Sequence, residues 1–468
     1  MALDPGSFRD PDSRVYLADD GVYRLLSERG RDDWLALRDA PVFAEATAGG
    51  TLVATEAVER SAVPGLDGEP AAAILRHERV PFVSYPYEWT FGMLRDAALL
   101  QLDLLARALE DGLILKDSSP YNVQWRGAAP VFIDVGSFER LRPGEPWVGY
   151  RQFCMLFLYP LMLTAYRGVP FQPWLRGSLE GIAPADAARL LARRDRLRRG
   201  VMTNVVLHAR LERRYAGVQG REVKSELRGA GFGAELVKAN VRKMRKLVER
   251  LRWEPGDTAW TGYGEDDGYA AADREAKAAF VREAAARRPR RLAWDIGAND
   301  GDYARIAADA GCETVLAMDA DHPTVELLHR ALKAEDERRI LPLVVDVCDP
   351  SPGLGWRGRE RAPLLDRGRP ELVLGLALVH HLAITRNVPL ADVVDWLHAL
   401  GGELVVEFPT REDPMVQRLL SAKNDDAHGD YELEAFERAL GEAFEIRRRE
   451  ALPSGTRVLF EAAPHGPA

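Results

Sequence analysis

The sequence predicts an α/β protein whose C-terminal half is a doubly wound, mostly parallel sheet of seven strands. An N-terminal α+β region and a helical connector precede it. Three observations carry that expectation. Apolar strands alternate with amphipathic helices from about residue 290 onward, the order that builds parallel sheets covered on both faces. Three successive strands end on a carboxylate: Asp295, Asp319 and Asp346. The first is followed by a turn holding Gly297 and Gly301 and then by a helix, the corner at which such sheets bind nucleotides.

Composition sets the frame. A chain of 468 residues is long enough for two or three domains with a sizeable core. Hydrophobic residues make up 46% and charged residues 29%, as in ordinary globular proteins. The net charge of −9, from 63 basic and 72 acidic residues, gives no overall attraction for polyanions, so nucleic acid is not an expected partner. Cys154, Cys312 and Cys348 lack zinc-ligand spacing and read as small buried hydrophobes in a reducing compartment. The N-terminus has no signal-peptide pattern, and the most apolar run, residues 153–165, is too short to cross a bilayer. A cytoplasmic protein without a membrane partner is expected.

Residues 14–85 mix short β-like runs with Gly/Pro turns and predict a small sheet. Residues 89–109 place Leu94, Ala97, Leu100, Leu104 and Ala108 at helical spacing, ending at Gly112. Asp117 follows, with Asn122 five positions on (122 − 117 = 5) and Asp134 at the end of an apolar strand. This trio resembles, in degenerate form, the catalytic loop and metal-binding aspartate of kinase-like phosphotransferases. The resemblance implies that Asn122 and Asp134 hold magnesium if this region binds Mg-ATP. No other metal is expected. A glycine-rich phosphate loop is missing, and no lysine precedes Lys116, leaving Arg76 as a poorly matched substitute. The alternative is that Asp117 and Asn122 make turn hydrogen bonds between two strands.

From 186 to 251 the chain reads as amphipathic helices with solvated basic faces. The expected boundaries are 1–180 for the N-terminal region, 181–252 for the connector and 253–468 for the C-terminal domain. Residues 253–269 combine four glycines with Trp260, Tyr263 and Tyr269, the make-up of a lid over a ligand. A helix at 270–287 then leads into the first strand.

The loop after that strand runs D-x-G-x-N-x-G, from Asp295 through Asn299 to Gly301. A carboxylate just before the loop repels a pyrophosphate and suits an ammonium. Asp319 ends the next strand, 319 − 295 = 24 residues later, where an acid accepts ribose hydroxyls; Asp321 is a competitor. Asp346 ends the third strand, with Asp349 as its alternative. The fourth strand, 371–377, runs directly into His380 and His381, beyond the carboxyl edge where ligands of open sheets sit. Either histidine can take a proton near neutral pH, but neighbours on a helix point different ways, so one of them serves at most. Glu407 in the fifth strand either lines the acceptor pocket or is satisfied by Arg411. Runs at 444–449 and 457–462, separated by Pro453-Ser-Gly, predict a closing hairpin.

These motifs resemble the class I S-adenosylmethionine-dependent methyltransferases. The runs around His380, Glu407 and Asp413 look like a bacterial subfamily of nodulation-type methyltransferases, over most of the chain. The resemblance implies a Rossmann-like domain with S-adenosylmethionine as cofactor and S-adenosylhomocysteine as product. It puts Asp295 at the amino-acid end, Asp319 at the ribose and Asp346 at the adenine, with Gly297, Asn299, Gly301, Val347 and Ala377 also binding the cofactor. His380 and His381 are the candidate bases. The expected acceptor is an oxygen or nitrogen of a small or glycan-like molecule, selected by the N-terminal region. Alternatives are a bifunctional methyltransferase–phosphotransferase, a protein or RNA methyltransferase, and a cofactor-binding regulator. Oligomeric state is left open.

Overall fold

A computed structural model describes residues 2–466, apart from 19, 64, 66–68, 143, 192, 216–233, 257–270 and 424–427. The chain divides into two compact units. The first comprises Met1–Trp125, Pro130–Glu254 and Gly353–Ala362. The second comprises Arg126–Ala129, Pro255–Pro352 and Pro363–Ala468.

The first unit opens with an antiparallel sheet of five strands, ordered β1-β2-β3-β5-β4. These are Ala2–Leu3, Ser13–Ala18, Gly21–Leu26, Thr55–Val58 and Ala73–His77 for β1 to β5. Helices α1 (Glu28–Arg38) and α2 (Pro41–Ala48), which the β-like composition hid, stand between β3 and β4. Ser27 starts α1 by accepting from Gly30 N at 3.1 Å. The helix expected at 89–109 is α3 (Phe91–Glu110), started by Thr90, whose hydroxyl accepts from Met93 N at 3.2 Å. Its apolar residues are almost all buried, each large side chain contributing roughly 1.5–3 kcal/mol relative to exposure.

Short strands β6 (Leu113–Leu115) and β9 (Phe138–Arg140) pair, as do β7 (Val123–Arg126) and β8 (Ala129–Phe132). They frame the loop of Asp117 and Asn122, and the chain leaving β8 delivers Asp134. Helix α4 (Ala234–Arg250), from the basic segment, is part of this unit. It buries Val237, Val241, Met244 and Val248 while Arg242, Lys243 and Lys246 face solvent, and Arg245 pairs with Asp103 of α3. The apolar run near 153–165 is a buried π-helical turn, Cys154–Leu158, continuing into the helix Tyr159–Arg167. Among the described residues no helix is long and apolar enough to cross a membrane.

The second unit holds a seven-stranded sheet ordered β12-β11-β10-β13-β14-β16-β15. Strands β10 (Arg290–Ile296), β11 (Cys312–Asp319), β12 (Ile340–Val344), β13 (Leu372–Gly375) and β14 (Glu403–Pro409) are parallel. The closing hairpin is β15 (Phe444–Ala451) and β16 (Arg457–Pro464), with β16 inserted antiparallel beside β14. Five parallel strands closed by an antiparallel hairpin make the seven-stranded sheet that the sequence predicts. Helices α5 (Ala271–Ala286), α6 (Asp302–Asp309), α7 (His322–Ala334), α8 (Leu390–Ala399), α9 (Pro414–Ser421) and α10 (Leu433–Ala443) complete the unit.

Ala293, Val315, Ala317, Leu374 and Val405 are wholly buried in the core of this unit, as strands covered on both faces require. The parallel register sets Asp295 opposite Ala317 and Asp319 opposite Val344. Two acids therefore reach the same edge. Most of the expected lid, residues 257–269, lies outside the described residues, as does 424–427 of the loop expected before α10.

Candidate functional site

Beyond the carboxyl ends of β10 to β13 a cleft of about 600 Å³ opens in the second unit. Its shape follows from the loop after β10. Gly297 N and Ala298 N both donate to Met318 O, at 2.8 and 3.0 Å, which folds the loop back over β11. Gly297, Asn299 and Gly301 all have left-handed φ, at 78°, 47° and 82°. At Gly301 an added Cβ would also lie 2.7 Å from Leu328 Cδ1, so no other residue fits without rearrangement.

Asp295, Gly297, Asn299, Asp319, Asp346, Val347, Ala377 and His381 all line the cleft. Gly301 does not line it but stands at the N-cap of α6. Asp295 is 2% exposed, and its Oδ2 has no hydrogen-bond partner among the described residues. Burial pushes its carboxyl up to about 7; Lys277 pulls the other way, and Asp319 and Asp300 push further up. An orphaned buried carboxylate oxygen facing a cleft is costly unless a donor arrives.

Asp319 Oδ2 accepts from Asn299 N at 3.1 Å and Oδ1 from Asp321 N at 2.9 Å, which fixes the carboxylate at the cleft edge. Asp321 also lines the cleft, but its side chain caps α7 by accepting from Thr324 N at 3.0 Å. Asp346 Oδ1 accepts from Cys348 N at 2.9 Å, and its Oδ2 pairs with Arg386. Asp349 is not among the lining residues. Cys348 departs from the expectation of buried cysteines: it is exposed on the cleft, because the chain has already left β12 for a turn.

The two histidines differ in place. His380 is wholly buried, absent from the cleft wall, and both ring nitrogens lack a partner among the described residues. Burial, with His381 and Arg457 nearby, holds it well below the usual histidine range. His381 stacks against it at 4.1 Å and faces the cleft. Burial, aided by Arg457, lowers His381 to about 4, so it is neutral at pH 7. Of the expected pair, only His381 is placed to meet a ligand in the cleft.

Glu407 corrects a second expectation. It neither lines the cleft nor pairs with Arg411; it is fully buried and held by Lys277 at 2.6 Å and by Arg457 at 3.2 Å. Arg411 turns instead to Tyr431 O, His428 O and Glu432.

In the first unit, Asn122 and Asp134 are engaged internally. Asp134 Oδ1 pairs with Arg24 of β3 at 2.7 Å, and Oδ2 accepts from Ser137 Oγ. Asn122 Nδ2 donates to the same Ser137 hydroxyl at 3.1 Å. Burial opposes ionisation of Asp134, but Arg24 and Ser137 outweigh it and hold its carboxyl below the usual range. Arg76 stays at the surface with Glu56. Among the described residues no group of three or more His, Cys, Asp or Glu is arranged to hold a metal.

No protein-family model matches the chain. Nodulation protein NoeA of Rhizobium meliloti (strain 1021) is 32% identical over 457 residues, spanning 97% of this chain and 94% of that protein. The chain belongs to the NoeA family.

Solved structures similar to this NoeA-family chain include the N-methyltransferase NodS from Bradyrhizobium japonicum WM9. That likeness is 12% identical, with TM-score 0.31, over 42% of this chain and 98% of NodS. Magnesium protoporphyrin IX methyltransferase from Synechocystis PCC 6803 is 16% identical, with TM-score 0.29, over 45% of this chain and 86% of that one.

Among the side chains of the NoeA-family cleft that sequence reasoning missed are Arg274, Lys277, Tyr303 and Arg386. A signal for one was present. Lys277 lies on the buried stripe of α5 with Phe280, Val281 and Ala284, where a charge needs a reason.

Proposed function

We propose that this chain is an S-adenosylmethionine-dependent methyltransferase acting on an oxygen or nitrogen of a small or glycan-like acceptor. The observation that carries the reading is Asp295: a buried carboxylate, orphaned at one oxygen, at the start of a glycine turn in a cleft of about 600 Å³. That oxygen fits an ammonium donor, and the cleft is of the size that small-molecule sites take. Asp319, fixed by two backbone amides, is suited to ribose hydroxyls, and Asp346 with Val347 to the adenine edge. The cofactor, when bound, supplies an electrophilic methyl on a sulfonium.

The chain's own residues then bind, orient and shield. Asp295 and Asp319 grip two points of one ligand and so fix its axis, and alignment is a large part of what a displacement needs. Leu376, Leu378 and Leu382 give the cleft an apolar wall around the reacting end. His381, kept neutral, offers a lone pair to the acceptor's N–H or O–H and orients the nucleophile. Its lowered basicity leaves it a hydrogen-bond acceptor and not the final proton carrier, so the proton displaced from the acceptor passes to solvent.

We assign selection of the acceptor to the first unit, in preference to phosphotransfer, because Asp134 is ion-paired with Arg24 and no lysine precedes Lys116 to pair with a phosphate. The test is incubation of the full chain with methyl-labelled S-adenosylmethionine and a panel of hydroxyl, carboxyl and amine acceptors. Label transfer with stoichiometric S-adenosylhomocysteine, lost in Asp295→Ala, is expected. No transfer across the panel together with no cofactor binding would overturn the reading.

A further inference from the structure

The chain as a whole is acidic, at −9, yet residues 193–199 hold five arginines against one aspartate, a local net of 5 − 1 = +4. They form a short 3-10 helix, Arg193–Leu197, and its exit, in the first unit. In the middle of this charge stands Leu197, 95% exposed. A leucine bare to water adds nothing to the fold, since stabilisation comes only with apolar area removed from water.

The turn is held firmly from beneath. Asp195 is buried and pairs with Arg198 at 3.3 Å and with Arg167, at the end of the helix Tyr159–Arg167, at 3.6 Å. The Arg198 guanidinium lies 4.9 Å from the centre of the Tyr166 ring, whose hydroxyl donates to Arg199 O at 3.0 Å. Gly200 leaves the turn at φ 80°, where an added Cβ would lie 2.5 Å from Leu247 Cδ2 of α4. Lys243 and Arg250, one helical turn to either side of Leu247, are exposed and extend the basic surface along α4.

Arg198 and Asp195 thus serve the fold. Arg193, Arg194, Arg196 and Arg199 are exposed, and none has an ion-pair partner among the described residues. Beyond Gly200 the chain stays helical, and Leu207, Arg210, Leu211 and Arg214 are exposed at the spacing of one helix face. Apolar and cationic side chains again share a face that a solvated helix ordinarily gives to polar residues.

Crowded cations among exposed leucines suit a partner that is anionic at its surface and apolar just beneath. A bilayer of anionic phospholipid has that layering, with phosphates for the guanidiniums and acyl chains for the leucines. A nucleic acid offers phosphates but asks for aromatic rings to stack its bases, and the apolar residues of this surface are leucines.

We propose that this surface, with Leu197 at its tip, docks the chain peripherally on anionic phospholipid membranes. The expectation of a chain without a membrane partner is amended accordingly: the length of apolar runs bears on crossing a bilayer, not on resting against one. None of these residues lines the cofactor cleft, so membrane docking and cofactor binding stand or fall independently.

The experiment is sedimentation of the full chain with vesicles of phosphatidylcholine alone and of phosphatidylcholine mixed with phosphatidylglycerol. Binding to the mixed vesicles only, weakened by salt, is expected. Arg193→Ser, Arg194→Ser and Arg196→Ser combined should reduce it by about 100-fold, at roughly fivefold for each charge. Leu197→Ser should reduce it by about tenfold with the salt dependence kept, and Leu197→Trp should hold or strengthen it. All four side chains are exposed, so these variants should fold, and an unchanged thermal midpoint checks it. No binding to the mixed vesicles, or equal binding to both kinds, overturns the proposal. So does salt-sensitive binding that Leu197→Ser leaves unchanged. A single-stranded oligonucleotide that displaces the mixed vesicles, and binds Leu197→Ser as well as the native chain, overturns it in favour of nucleic acid.

Discussion

Asp295 in the second unit and Asp134 in the first both stand near the end of an apolar strand, yet the structure treats these two acids in opposite ways. In the second unit Asp295 keeps a buried oxygen without a partner among the described residues, beside an open cleft. In the first, Asp134 is met at both oxygens by Arg24 and Ser137, and the Asn122 amide is turned to the same serine. A cavity beside it, lined by Lys116 and Gly136, has room for about 10 Å³, enough for no more than a water. Residue type at a strand end is therefore a weak guide to binding. What separates Asp295 from Asp134 is that the first faces an open cleft while the second is ion-paired with Arg24.

The sharpest way to break that contrast is to remove Asp295. Asp295→Ala should weaken donor binding by about 100-fold or more, since a charged hydrogen bond in a buried site is lost. Equilibrium dialysis with labelled cofactor measures it. Asp134→Asn in the first unit should leave the same affinity unchanged.

Acidity gives a second handle. The empty Asp295 carboxyl titrates near 7 because burial disfavours its charge. Only the ionised form pairs with an ammonium. Donor affinity should therefore fall by about tenfold for each pH unit below 7 and level off above it. Binding near pH 6.5 should release a proton, visible as a buffer-dependent heat. Asp295→Asn should flatten the profile.

Asp319→Ala should cost about tenfold in affinity, less than Asp295, because part of its capacity is spent on Asn299 N and Asp321 N.

The closed constellation makes its own prediction. Arg24→Gln leaves Asp134 with one partner fewer in a largely buried setting and should lower stability by about 1–3 kcal/mol. Its thermal midpoint should drop while donor affinity stays the same. The smallest effect is expected at His381. With its pKa lowered to about 4 by burial, His381→Ala should reduce turnover less than tenfold, checked once an acceptor is in hand.

Much of this was legible in the sequence because it is local. Asp295, Gly297, Asn299 and Gly301 sit within one strand–turn–helix, and Asp319 and Asp346 each end the next strand, so spacing alone places them. The hairpin at β15 and β16 was legible for the same reason.

What the sequence hid depends on distant partners. Lys277 and Glu407 are 130 positions apart, and Glu407 and Arg457 are 50. Arg411, only four residues along from Glu407 (411 − 407 = 4), looked the natural partner but points elsewhere. Which of His380 and His381 reaches the cleft was likewise invisible. Adjacent residues share a local pattern, and only the packing beneath the cleft decides which ring is buried. Arg24, which no pattern singled out, reaches Asp134, while Arg76, read as a substitute for a phosphate-pairing lysine, stands opposite Tyr23 in the register and so faces the other side of the sheet, beside Glu56.

The most direct test of the central claim is a titration of S-adenosylhomocysteine into the native chain and into Asp295→Asn by calorimetry at pH 7.5. One site per chain, with affinity at least about 100-fold weaker in the variant, is the predicted result. Native-like binding by Asp295→Asn, or no heat from a folded native chain, would contradict it.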